Sequence, residues 1–147
     1  MEVNRDAPVW LEREIEIAVP IEVTWDVLAG VNDWPRWFSE GESADIAGPV
    51  EPGATIRMKA RGTGAITARI ERAERPHVLA WTSRTFGISV ISAWRLDRSE
   101  GGTRVVKGES MDGFPARLMR GMLRKKMGGL TESWLRDLKT EAERRAE

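Results

Sequence analysis

Glu109 is the side chain in this sequence that is best placed for acid–base chemistry. It alternates in step with Val105 and Met111, so it belongs to the inner side of a predicted strand. A carboxyl group removed from water can serve as a general acid or base. The alternatives are an ion pair with Arg57 or Lys107, or exposure at the mouth of a pocket. Lys107 shares the parity of Glu109, and a β-bulge there would shift the register of the strand.

Two serines and the single histidine are the other polar candidates. Ser83 and Ser92 would bind a ligand hydroxyl or carbonyl, or else satisfy nearby backbone groups. His77 follows Pro76 at the entrance to a strand, where an exposed turn position is expected. With one histidine and no cysteine, the sequence predicts no metal site and no cofactor. Tyrosine is absent, and no nucleophile motif of the Gly-x-Ser-x-Gly type is present.

Length and charge narrow the class of protein. The 147 residues predict one domain, over positions 1–147. Lys plus Arg number 23 and Asp plus Glu number 23, so the net charge is zero. Because the chain has no strong basic field, the sequence predicts no nucleic-acid partner. No run approaches the ~18 apolar residues of a membrane span, and residues 1–6 lack the apolar part of a signal peptide. The expected compartment is therefore the cytoplasm, and the oligomeric state is left open.

The elements that would position these side chains change character along the chain. Alternation up to Val19 predicts a first strand, Pro20 ends it, and residues 23–29 and the turn after Asp33 predict two short helices. Alternation and turn signals then predict further strands over 41–47, 54–61, 65–73, 77–84, 88–96 and 103–111. From Gly113 to about Ala146 the period becomes helical, with a charged end over 141–147 that is expected to fray.

This order predicts an α+β fold, in which a curved antiparallel β-sheet of six to seven strands wraps around a long C-terminal α-helix. Two features of that helix have alternative interpretations. Gly128-Gly129 indicates either close approach of a ligand, sheet or partner helix, or a tolerated kink. A cluster of cations indicates either a surface for acidic lipid or an acidic carrier domain, or a solvated face balanced by nearby acids: Arg117, Arg120, Arg124, Lys125 and Lys126.

Several short motifs in this order resemble one family. The stretch Val19-Pro20-Ile21-Glu22-Val23-Thr24-Trp25, then Trp34-Pro35-Arg36-Trp37, is similar to the opening of the START-like helix-grip (SRPBCC) superfamily, in its polyketide cyclase/dehydrase branch. Trp94-Arg95-Leu96, Gly101-Gly102-Thr103 and Leu135-x-x-Leu138-Lys139 extend the resemblance over essentially the whole chain. The resemblance implies a helix-grip fold that encloses an apolar cavity for a small organic ligand.

The resemblance and the strand parity together predict the residues that line such a cavity. The strands would supply Ile56, Met58, Ile66, Ala68, Trp81, Ser83, Ser92, Trp94, Glu109 and Met111. The short helices would supply Trp37 and Phe38, and the long helix Phe114, Leu118 and Met122. The alternative is that these side chains fill a solid core.

Three functions follow as hypotheses. The first is binding of a hydrophobic small molecule that is aromatic, polyketide-like or lipid-like, in a cavity between the sheet and the C-terminal helix. The second is a polyketide cyclase or aromatase that uses Glu109 for proton transfer. The third is a lipid-transfer or protein-interaction module that uses the basic face of the long helix.

Overall fold

One seven-stranded antiparallel sheet dominates the computed structural model, which describes residues 2–147. The strands lie in the spatial order β1-β7-β6-β5-β4-β3-β2. Their bounds are β1 Val9–Ile17, β2 Gly41–Ile46, β3 Thr55–Ala60, β4 Gly64–Glu74, β5 Val78–Thr85, β6 Ile88–Ser99 and β7 Gly102–Asp112. The helix-grip fold, the strand number and the antiparallel pairing predicted from the sequence are confirmed.

Two short helices follow β1, as predicted. Helix α1 spans Ile21–Ala29, a 3-10 turn spans Val31–Asp33, and α2 spans Trp34–Trp37. The Nε1 atom of Trp34 donates a hydrogen bond to the carbonyl oxygen of Leu28 at 2.9 Å, which ties α2 to the end of α1. Trp34 is 1% exposed and therefore part of the core.

The long C-terminal segment is not one helix. Helix α3 spans Phe114–Leu118 and α4 spans Arg120–Arg145, with Met119 between them at φ −107° and ψ 26°. The prediction of an unbroken helix from Gly113 was wrong because α3 packs on β6 and β7, whereas α4 crosses the sheet against β1. At 1.5 Å per residue, the 26 residues of α4 extend about 39 Å. Residues 141–145, which were expected to fray, are helical, and Ala142 is buried.

The buried face of α4 begins close to the middle of the helix. Its buried residues are Thr131, Trp134, Leu135, Leu138 and Ala142, and none precedes Thr131. The second half therefore closes the core against the sheet. The first half crosses above the concave face without filling the space beneath it.

Strand β7 is regular along its whole length. It pairs residue by residue with β1 on one side and β6 on the other, without a register shift at Lys107. The bulge considered from the sequence does not occur in β7, so Lys107 and Glu109 both face inward, and both are buried. Register shifts lie instead between Gly41 and Ser43 and between Ile70 and Arg72.

Candidate functional site

A cavity of about 220 Å³ lies between the concave face of the sheet and the first half of α4. Its walls are largely apolar because alternate residues of β3 to β7 point inward, towards one stripe of α4. The strands contribute Met58, Ala60, Ile66, Trp81, Ile88, Val90 and Met111, the helices contribute Trp34, Leu123, Met127, Leu130 and Trp134, and Phe38 joins them from the residue after α2.

An aromatic cluster centred on Trp134 closes one end of this cavity. The rings of Phe38 and Trp134 are stacked, with centroids 3.7 Å apart and planes 16° apart. Trp34 and Trp94 meet Trp134 edge-on, at centroid distances of 5.0 and 5.8 Å. Offset and edge-on contacts of this kind stabilise aromatic pairs beyond the burial of their area, so this end of the cavity is well packed.

The polar floor of the cavity is a cross-strand pair. Ser92 on β6 lies directly opposite Glu109 on β7, and both side chains line the cavity. The Oγ atom of Ser92 lies 2.8 Å from both Oε1 and Oε2 of Glu109, so its hydroxyl donates a bifurcated hydrogen bond. Ser92 is 5% exposed and Glu109 4% exposed. The sequence predicted that both residues lie on the inner face, and the register of β6 against β7 brings them opposite each other.

Lys107 is the third member of this polar group. Its Nζ atom pairs with Oε1 of Glu109, and its side chain is 1% exposed. The same Nζ lies 5.2 Å from the centroid of the Trp94 ring, a cation–π contact. Of the ion pairs considered from the sequence, Glu109 therefore forms the one with Lys107, whereas Arg57 is exposed on β3. Lys107 does not line the cavity.

The carboxylate of Glu109 retains acceptor capacity towards the cavity. An ionised carboxylate offers about four lone-pair sites. Lys107 and Ser92 are its hydrogen-bond donors, and Oε2 accepts from Ser92 alone. The floor can therefore accept a further hydrogen bond, whereas the remaining walls are mostly apolar.

Two turns and α4 surround the other end of the cavity. Thr63 in the β3–β4 turn, Phe86 in the β5–β6 turn and Lys126 on α4 all contribute to the lining. The Nζ atom of Lys126 donates a hydrogen bond to the carbonyl oxygen of Gly62, which joins α4 to the β3–β4 turn. Phe86 is 92% exposed, so the cavity lining reaches the protein surface at this end, which we call the mouth.

Eight of the residues predicted from the sequence line the cavity together: Phe38, Met58, Ile66, Trp81, Ser83, Ser92, Glu109 and Met111. Ile56, Ala68 and Trp94 face the same way but lie within the packed core, at 0%, 0% and 1% exposure. Trp37 is half-buried and packs on Trp134 with ring centroids 5.7 Å apart, without lining the cavity.

The three residues predicted from the long helix are placed elsewhere. Phe114, Leu118 and Met122 are exposed, and none of them lines the cavity. The break at Met119 turns them outward. The helix instead contributes Leu123, Met127, Leu130 and Trp134. These four residues follow the 3.6-residue period visible in the sequence, which would have identified them.

The remaining sequence features do not contribute to the cavity. A Cβ atom on Gly128 would lie 4.0 Å from the Leu11 side chain and one on Gly129 would meet nothing, so neither glycine is required by close approach. His77 is half-buried, and its Nδ1 lies 2.8 Å from the carbonyl oxygen of Leu96. Within residues 2–147, no group of three His, Cys, Asp or Glu side chains could hold a metal ion. Across the same residues, no helix is long and apolar enough to cross a bilayer.

The chain matches a known protein family over most of its length. A family model described as "Polyketide cyclase / dehydrase and lipid transport" matches residues 9–143. A Streptomyces halstedii protein, provisionally named a polyketide cyclase, is 51% identical over 35 residues. That match covers 24% of this chain and 32% of the relative's length.

Solved structures of similar shape share the fold at low sequence identity. The Zhui aromatase/cyclase from Streptomyces sp. R1128 is 19% identical with a TM-score of 0.81, over 94% of this chain and 95% of that chain. The hypothetical protein jhp0584 from Helicobacter pylori is 15% identical with a TM-score of 0.81, over 95% and 91%. The di-domain aromatase/cyclase StfQ, from the steffimycin biosynthetic pathway, is 15% identical with a TM-score of 0.80, over 94% of this chain and 51% of that chain.

Proposed function

Because the chain belongs to the polyketide cyclase/dehydrase and lipid-transport family, in the START-like helix-grip superfamily, we propose that its cavity binds a compact aromatic molecule bearing a hydrogen-bond donor. The observation that carries this proposal is the Ser92–Glu109 floor beneath apolar walls. Small-molecule sites commonly combine apolar walls with a few fixed polar groups that orient the ligand.

The chemistry of the floor favours a donor over an acceptor. The Ser92 hydroxyl hydrogen and one donor of Lys107 are already directed at Glu109. A ligand group that approaches the floor therefore meets a carboxylate whose Oε2 atom has a spare lone pair. A phenolic or enolic hydroxyl can donate to that atom, whereas an ether or ketone oxygen would face like partial charge.

The volume of the cavity limits the size of the ligand. An engineered cavity of about 150 Å³ binds benzene. At about 220 Å³, this cavity accommodates a substituted ring or a fused pair of rings. A longer chain would have to extend through the mouth, between Thr63 and Phe86.

Binding of 2-naphthol and of 2-methoxynaphthalene tests this proposal, with tryptophan fluorescence as the readout because Trp34, Trp81 and Trp134 line the cavity. A hydrogen bond to a charged group contributes about 1.5–3 kcal/mol, so 2-naphthol should bind at least about tenfold more tightly. Equal affinities, or no binding of either compound, would contradict the proposal.

A matched pair of variants tests whether the preference for 2-naphthol over 2-methoxynaphthalene arises from Glu109. Glu109→Gln leaves Lys107 buried without its carboxylate and should lower stability. In the folded protein it should reduce the preference for 2-naphthol, because the charge-assisted hydrogen bond becomes a neutral one. Glu71 is the control, since it accepts a hydrogen bond from Thr82 at 3.0 Å on the outer face of the sheet. Glu71→Gln should leave the preference unchanged.

The second candidate function is cyclisation of a reactive polyketone chain, and the position of the Glu109 carboxylate in an apolar cavity favours it. In that reaction Glu109 removes a proton from a carbon between two carbonyls. The resulting enolate carbon attacks a third carbonyl carbon, and the new alkoxide recovers the proton from Glu109. The cavity walls would select which carbons meet.

Turnover of a poly-β-ketone thioester mimic distinguishes a cyclase from a binder. General base catalysis contributes about 10²- to 10⁴-fold. Glu109→Gln should therefore slow cyclisation by at least about 100-fold while the ligand still binds, whereas Glu71→Gln should not slow it. Unchanged turnover in Glu109→Gln would remove Glu109 from the mechanism.

A further inference from the structure

Four large apolar side chains are exposed at the mouth end of the molecule. The exposed fraction is 92% for Phe86, 71% for Phe114, 70% for Leu118 and 61% for Met122. They come from the β5–β6 turn, from α3 and from the first turn of α4. Soluble proteins seldom gather exposed apolar groups without a binding role.

The turn that carries Phe86 adjoins α3. A Cβ atom on Gly87 would lie 3.6 Å from Cγ of Pro115, and one on Gly113 would meet the carbonyl oxygen of Gly87 at 2.2 Å. The β5–β6 turn and the start of α3 are therefore in direct contact. Phe86 and Phe114 each adjoin this contact, next in sequence to Gly87 and to Gly113.

Phe86 occupies a backbone position that does not suit it. Thr85 pairs with Ile88, so Phe86 and Gly87 form a two-residue hairpin turn. Their φ angles are +49° and +77°. Asn-Gly is preferred in such turns because asparagine and glycine tolerate positive φ, whereas a bulky residue there is strained. Since Phe86 is almost fully exposed, packing within the protein does not explain why an aromatic residue is placed there. Strain of this kind is typical of functional positions.

The cations around these side chains lack acidic partners. Five lie within residues 117–126: Arg117, Arg120, Arg124, Lys125 and Lys126. Within residues 2–147, none of these five forms an ion pair with a carboxylate, whereas most other Lys and Arg side chains do. No Asp or Glu occurs from Gly113 to Thr131. The interpretation of a face balanced by nearby acids is therefore wrong.

We propose that this tip surface, formed by the four exposed apolar side chains and the five cations, docks on an anionic lipid bilayer. Lys and Arg side chains are attracted electrostatically to the headgroups of an anionic membrane. Phe and Leu side chains insert at the interface between headgroups and acyl chains. The apolar side chains come from three separate elements, one turn and two helices. This arrangement suits a deformable lipid interface better than a complementary protein surface, whose buried centre requires close packing.

Docking in this way brings the cavity mouth to the lipid, because Phe86 and Lys126 belong both to the tip surface and to the cavity lining. Ligand exchange between the bilayer and the cavity rests on the proposed function. Membrane binding itself does not, because the tip surface is present whether or not the cavity holds a ligand.

Co-sedimentation of the full chain with vesicles tests the electrostatic part of the proposal. The protein should bind phosphatidylcholine vesicles that contain phosphatidylserine, and should not bind pure phosphatidylcholine vesicles. Reversal of three cations (Arg117→Glu, Arg120→Glu, Lys125→Glu) should reduce binding by at least about a hundredfold. The control reverses three cations on the outer face of the sheet, Arg57, Arg69 and Arg95, and should bind like the natural sequence.

Phe86→Asn tests the apolar part with two readouts of opposite sign. Asparagine suits the turn, so the variant should have a raised Tm. It should also bind phosphatidylserine vesicles roughly tenfold more weakly, since the inserted ring is lost. A variant that is more stable but binds equally well would show that Phe86 does not enter the bilayer, and would overturn this part of the proposal.

Two further results distinguish membrane docking from ligand binding in the cavity and from binding of a protein partner. A variant with a filled cavity, Ser83→Phe, should still bind phosphatidylserine vesicles, which tests membrane docking independently of the cavity ligand. Absence of vesicle binding would overturn the proposal. Absence of vesicle binding together with capture of an acidic acyl carrier protein, lost on the triple charge reversal, would assign the tip surface to a protein partner instead.

Discussion

Lys107 and Glu109 lie two residues apart on β7 and form a buried ion pair beneath the cavity, with Lys107 1% exposed. Both point inward because β7 is regular against β1 and β6. The pair anchors the carboxylate that forms the floor of the cavity. The geometry of the floor therefore depends on a lysine that a bound ligand would not touch.

Lys107→Met should destabilise the protein strongly. Removing one member of a buried ion pair leaves an uncompensated charge, which costs about 3–5 kcal/mol. Lys107→Met/Glu109→Leu should recover much of that loss, because neither charge remains. Urea unfolding of the natural sequence and of both variants measures the free energies of unfolding. A double variant less stable than Lys107→Met would contradict the buried pair.

Trp134→Ala should cost about 3–5 kcal/mol of stability, the range for loss of a buried aromatic side chain. Trp134 is 5% exposed, stacks on Phe38 and meets Trp34 edge-on. Trp10→Ala is the matched control, since Trp10 is only half-buried and lies outside this aromatic cluster. Equal losses in the two variants, measured by urea unfolding, would show that the cluster contributes nothing specific.

Ser83→Phe should abolish binding of 2-naphthol without a large loss of stability. Ser83 lines the cavity opposite Val90 on the neighbouring strand, so a phenyl ring there enters empty space. The control is Ser89→Phe, in which the new ring stands on an exposed position of β6. Retained binding in Ser83→Phe, followed by tryptophan fluorescence, would place the ligand outside the cavity.

The end of α4 should lose stability in acid. Hydrogen bonds from the Arg144 and Arg145 guanidinium groups lower the pKa of the Glu141 carboxyl from 4.5 to about 2. A depressed folded-state pKa contributes stability that is present above the unfolded value and is lost as pH falls from 4.5 towards 2. The contribution should be about 1 kcal/mol, because Arg144 is largely exposed to solvent.

Glu141→Gln provides the measurement. Its free energy of unfolding should depend less on pH between about pH 5 and about pH 2 than that of the natural sequence. Glu100→Gln is the control because Glu100 is exposed in the β6–β7 turn. Identical pH profiles for the natural sequence and Glu141→Gln would show that the Arg144 and Arg145 contacts do not hold in solution.

Strand parity and helical period predicted most of the fold, because each depends on residues close in sequence. They placed Ser92 and Glu109 on one face, but which residues face each other across strands depends on the register of β6 against β7. The alternation of residues also allowed a bulge at Lys107. Only the pairing of β7 with β1 and β6 shows that the Lys107 side chain faces inward. The break at Met119 arises from packing against two different parts of the sheet, which no local pattern records. For that reason Leu118 and Met122 were assigned to the cavity in place of Leu123 and Met127.

Chemical-shift mapping with 2-naphthol locates the bound ligand residue by residue. The backbone amide resonances of labelled protein should shift at Ser92, Glu109, Met111 and Leu130, around the floor and roof of the cavity, and Glu109→Gln should weaken these shifts. Shifts confined to the tip surface, or none at saturating ligand, would contradict a ligand-binding cavity with a carboxylate floor.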